Sequence, residues 1–119
     1  MSDFEQQFAG VVQGVTSATK GILNAIDQML FKSLVACLKS EDYEAATTAI
    51  NQLVKEKKPI AIPPLYFVSQ AHPNARVREN AKVGLKAFKQ DKKIAELTEG
   101  KELKEAVSLL IKEFGNYKN

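Results

Sequence analysis

Residues 72–88, HPNARVRENAKVGLKAF, constrain the fold of this chain more than any other stretch. Val77, Ala81, Gly84, Leu85 and Phe88 recur every three or four residues, the spacing of one face of an α-helix. Arg78, Lys82, Lys86 and Lys89 keep the same rhythm on an adjoining face. The segment therefore predicts a helix with an apolar stripe on one side and a basic stripe beside it. Ala81 and Gly84 are small, so a second helix can approach closely there. Pro73 suits a helix's first turn, where its missing N–H would have had no partner. Asn74 is a better cap by residue type than His72.

The other apolar residues repeat the pattern, and no strand-like alternation of comparable length interrupts it. Phe4, Phe8, Val11, Val12, Val15, Ala18 and Ile22 predict a first helix, capped by Ser2 or Asp3. Its polar face is almost free of charge until Lys20. Gly10 and Gly14 stand in a GxxxG spacing within it, with Gly21 one heptad on. Each interior glycine costs roughly 1 kcal/mol relative to alanine, so a close helix approach or a break is expected, the break near Gly21. A second helix over 22–38 has Leu34, Cys37 and Leu38 on its apolar side. A third starts at Ser40-Glu41-Asp42, with Ala45, Ala46, Ala49, Ile50, Leu53 and Val54 inward. A charged connector ends at Pro59, which stops the helix. Residues 60–70 form a short helix opened by Pro63 and Pro64, with Ile62, Leu65, Tyr66 and Val68 as core. Asp91-Lys92-Lys93 reads as another connector, before a short helical piece with Ile94, Ala95 and Leu97. Gly100 breaks that piece. Leu103, Ala106, Val107, Leu110, Ile111 and Phe114 build the last helix, stopped by Gly115 and Asn116.

At 119 residues the chain has room for one domain with a modest core. Helix formers are plentiful, so the expected class is all-α, with five to seven helices. Its organisation is an N-terminal cap over 1–27, helical hairpins over 28–56 and 60–90, and C-terminal capping helices over 91–119. A net charge of +3 is mild and lacks the strong excess of a dedicated nucleic-acid binder. The single cysteine, Cys37, allows no intrachain disulfide and points to a reducing compartment. The acidic, polar start argues against a secretory signal, and no apolar run approaches the length of a bilayer span. A cytoplasmic location is expected.

The helix over 72–88 has a counterpart. Ala45, Ala49 and Leu53 align with Val77, Ala81 and Leu85 at a shift of 32 residues, each set following another apolar helix. A unit of helix, tight turn, helix and connector repeated at fixed period is the mark of a repeat architecture. In IPPLYFVSQAHPNARVRENAKVGLKAF, residues Ile62, Pro63, Leu65, Pro73, Val77, Arg78, Ala81 and Leu85 match the HEAT-type pattern. The chain resembles HEAT-like, armadillo-type helical repeats over about 30 residues there, and in part over 31–56, where Ala46 replaces the arginine and no proline marks the turn. It is also similar to the short repeats of phycobilin lyases, without their supplying a catalytic motif. The resemblance implies an α-helical stack and a scaffold or adaptor role. It also implies that Arg78 pairs with an acid of the preceding turn, Glu41 or Asp42.

Chemistry-bearing motifs are sparse. His72, in an Ala-His-Pro turn, reads as a cap or surface residue. Cys37 reads as a small buried hydrophobe. There is no Gly-rich phosphate loop, no CxxC and no acidic pair in an apolar setting, so a non-enzyme with no cofactor and no metal is expected. Arg78, Lys82, Lys86 and Lys89, extended by Lys92 and Lys93, are the candidate partner-binding residues. Their natural partner is a protein with an acidic surface. The alternative is a nucleic-acid backbone, weakened by the absence of interleaved base-stacking aromatics. Gly10 and Gly14 are candidates for self-association in a homodimer. A membrane-surface role for the first helix is disfavoured, because such helices are rich in Lys and Arg.

Overall fold

A computed structural model of the chain describes residues 3–19, 32–40 and 42–115. The fold is all-α. Helix α1 spans Asp3–Thr19, and residues 32–37 are the described part of α2. Then come α3 (Tyr43–Glu56), a 3-10 turn (Pro59–Ala61), α4 (Ile62–Ala71), α5 (Ala75–Lys86), α6 (Asp91–Thr98) and α7 (Leu103–Gly115). Ser2 and the expected break near Gly21 lie outside the described residues, as does most of the expected helix over 22–38.

The helix ends follow local chemistry. Asp42 caps α3 by accepting the Glu44 N–H at 3.0 Å, which satisfies one of the donors a helix start leaves orphaned. Lys57 closes the same helix in the left-handed conformation, φ 51°, its N–H returning to the Leu53 carbonyl. Asn74 caps α5, its Oδ1 accepting from the N–H groups of Arg76 and Val77. Pro73 thus sits one residue outside the helix and not in its first turn. It holds His72 in the extended region, as the residue before a proline prefers. Gly100, at φ 73°, ends the α6 segment as expected. Asp91, Lys92 and Lys93 are not a connector. They form the first turn of α6, where Asp91 meets the positive end of the helix dipole.

The hub of the packing is α4. Seven of its ten residues are buried, and it touches α5, α7, α1 and the 3-10 turn. A helix that is apolar all round belongs in the interior. Phe67, absent from the expected core, is buried on α4, while Tyr66 is only half-buried. Helix α1 closes over this hub. Phe4 and Phe8 stack on each other and on Phe67, with centroids 5.6–5.7 Å apart. Such ring pairs contribute about 0.5–1.5 kcal/mol beyond area burial. On the other side, α3 lies against α5 at the small residues. A Cβ on Gly84 would sit 2.9 Å from Val54 Cγ2, so the backbone approach there needs glycine. Helices α6 and α7 pack together and complete the body. Its extents, 34 × 33 × 27 Å, are nearly equal, because α1 and α7 both pack on α4 and on each other.

Two further expectations change. Cys37 is exposed. On α2 the inward side is Val35 and Leu38, with Leu34 half-buried. On α6 only Ile94 is buried, while Ala95 faces solvent.

Candidate functional site

The site begins with what α5 does with its two sides. Val77, Ala81, Gly84 and Leu85 are buried against α3 and α4. Glu79, Lys82, Val83 and Lys86 line the opposite, exposed side. Val83 is 59% exposed, the one large hydrophobic side chain so open among the described residues. Two lysine ammoniums flank it on a helix held rigidly from behind.

Beyond Lys86 the helix tightens. The N–H groups of Ala87, Phe88 and Lys89 each return to a carbonyl three residues back. Lys89 then takes a left-handed conformation, φ 57°, and turns the chain into α6. Lys89 and Lys92 are both exposed there, so the cation series continues across the turn.

The structure withdraws two of the six expected cations from this face. Arg78 is half-buried, and its Nη1 donates to the carbonyl of His72. The expected pair with Asp42 is not formed: the Asp42 carboxylate is turned to its own helix N-terminus, and no ion pair to Arg78 joins it among the described residues. Glu41 lies outside those residues. The physical reason is proximity. The carbonyl at the end of α4 has no helical partner, and a guanidinium one turn into α5 reaches it directly. Lys93 points to Glu113 of α7, with Nζ to Oε2 at 3.2 Å. That exposed pair ties α6 to α7 and contributes about 0–1 kcal/mol.

The contact from one turn to the preceding one comes from His72 instead. Its side chain is fully buried. Nδ1 accepts the Asn74 N–H at 3.0 Å. A backbone N–H can only donate, so Nδ1 carries no proton and Nε2 must carry it. Nε2–H then donates to the Ser40 carbonyl at 2.9 Å, 32 residues away. The edge of the ring also meets Phe4 of α1, centroids 5.1 Å apart. His72 is therefore a pin between three segments, not a surface residue.

A second polar seam joins α5 to α3. Asn80 Nδ2 donates to Tyr43 Oη and to Thr47 Oγ1, both at 3.1 Å. The Arg76 guanidinium lies 4.1 Å from the centre of the Tyr43 ring, a cation–π contact. The hydrogen bond from Asn80, then that from Thr47, holds the Tyr43 phenol below its ordinary pKa of 10.0, against a smaller opposing effect of burial. Sequence reasoning did not mark Arg76, Asn80 or Val83. For Val83 a signal existed, an apolar residue on the polar side of an otherwise regular stripe.

A groove of about 610 Å³ lies between α1 and α7, with Phe67 of α4 at its floor. Gly14 does not present a free surface. A Cβ there would lie 3.1 Å from Ile111 Cδ1, so its close approach is spent on α7 of the same chain. Gly10, one turn earlier, is exposed, and a Cβ on it would meet nothing within 4 Å.

Among the described residues, no three or more of His, Cys, Asp and Glu are grouped to hold a metal ion, and no helix is long and apolar enough to cross a membrane. Compared with protein-family models, curated proteins and solved structures, the chain matches none of them.

Proposed function

We propose that this protein is a non-enzymatic adaptor or assembly factor built from HEAT-like helical hairpins, and that the outer face of α5 docks on an acidic surface of a partner protein. One observation carries the reading: Val83 stands exposed between Lys82 and Lys86 on a helix packed firmly from behind. An apolar anchor on a rigid element gives up little conformational entropy on binding. The lysines around it, with Lys89 and Lys92, steer a negatively charged partner into register. The hairpin reading is supported by contacts at the repeat interval. Ser40 and His72, in the two inter-helix turns, are hydrogen-bonded 32 residues apart, and Asn80 reaches Thr47 at 33. We assign the work to the cytoplasm, where an exposed single thiol such as Cys37 stays reduced.

The test is affinity purification from the native host with mass spectrometry, followed by binding of the purified partner. The triple variant K82E/K86E/K89E is expected to abolish binding while its helical circular dichroism spectrum stays intact. Unchanged binding by that variant returns these lysines to a solvated face. Salt separates the partner classes, since binding to a phosphate backbone falls steeply and log-linearly as salt rises. A slope of that kind would replace the protein partner with nucleic acid.

A further inference from the structure

The groove between α1 and α7 is independent of the α5 face, and its rim is built to match itself. Gln6 and Gln7 border it from α1, and Glu102 and Lys104 from the start of α7. A carboxamide is both donor and acceptor, so glutamines on two copies satisfy one another. An acid and a base two residues apart do the same across a two-fold axis, where residue i meets j and j meets i. This edge therefore lets two copies of a chain with net charge +3 approach without repulsion. Gly10 adds shape: the space above its Cα is open, so a second backbone can come close where α1 and α7 stand apart. The floor is apolar, with Val11, Phe67 and Val107.

We propose that the groove binds a second copy of this chain, in a two-fold dimer centred on Gly10 with Glu102 of each copy paired to Lys104 of the other. The contact does not use Gly14, which α7 already covers.

Sedimentation velocity and light scattering over a concentration series test this. The wild-type protein is expected to dimerise by high micromolar concentration. In the monomer a Cβ at Gly10 meets nothing within 4 Å, and Gly10→Leu removes a helix-interior glycine, so the variant is expected to fold normally and remain monomeric. Lys104→Glu sets four carboxylates together and is expected to weaken dimerisation at least about tenfold. The swapped double variant E102K/K104E restores both pairs and is expected to recover the dimer. That rescue is a result that a merely destabilised fold would not give. A wild-type chain that is monomeric throughout the series overturns the proposal, and so does a monomer whose groove takes up a small apolar dye instead. A dimer indifferent to Gly10→Leu and to Lys104→Glu places the contact elsewhere and equally overturns it.

Discussion

His72 shows how much one side chain can decide. Its ring accepts from one turn, donates to another and packs against α1. Truncation strands the Asn74 N–H and the Ser40 carbonyl, and each buried group left unsatisfied costs about 1–3 kcal/mol. His72→Ala is therefore expected to lose at least about 2 kcal/mol in urea denaturation. The accepting role of Nδ1 also fixes the tautomer, and long-range 15N–1H spectra should show the proton on Nε2. Tyr43 offers a measurement at the same scale. Asn80 and Thr47 favour the phenolate and so lower the pKa. A lowered folded-state pKa contributes stability that is fully present above the unfolded value and is lost as pH falls through the folded one. Stability from this group therefore grows as pH rises toward and past the ordinary tyrosine value of 10.0. An ultraviolet titration should place Tyr43 below an ordinary tyrosine, and Asn80→Ala should move it back up.

Between elements, the two glycines that differ most in surroundings give a contrast. At Gly10 an alanine gains helix propensity, about 0.5–1 kcal/mol, and meets nothing. At Gly84 the same methyl collides with Val54 at 2.9 Å. Val54 is β-branched and stiff at χ1, so it cannot swing aside, and overpacking costs about 1–3 kcal/mol. Gly10→Ala is expected to stabilise the monomer and Gly84→Ala to destabilise it, both read by chemical denaturation. Leu85 lies on the same side of α5, buried. Leu85→Ala is expected to cost about 2–5 kcal/mol, and a loss below about 1 kcal/mol would contradict the burial of this face.

At the scale of the molecule, α4 is shared by both halves of the packing. It joins α5 on one side with α1 and α7 on the other, and the buried residues form one continuous cluster from Phe4 to Phe114. A body with a single core around a central helix unfolds as a unit. Urea transitions followed by far-ultraviolet circular dichroism and by tyrosine fluorescence are expected to coincide. Two separated transitions would show that α1 or α7 detaches before the hairpins.

Among the described residues, most helices and several of their ends were legible in the chain because they depend on neighbours within about four positions, although the start of α6 at Asp91 was not. Asn74 and Asp42 cap because an Asx side chain reaches the next N–H groups whatever lies beyond. Gly100 breaks a helix for reasons internal to one residue, and the stripe of Val77, Ala81, Gly84 and Leu85 follows from 3.6 residues per turn. The stretch over 72–88 looked central for that reason, being the most regular. What the stripes meet depended on atoms far along the chain. Phe67 became core because α4 is enclosed on all sides, which no period within α4 reports. His72 was buried by Phe4 and Ser40, Gly14 was taken by Ile111, and Lys93 by Glu113. Arg78 was expected to reach an acid of the preceding turn, and it donates instead to the His72 carbonyl just before its own helix. Local pattern placed the arginine; only the folded distances decided its acceptor.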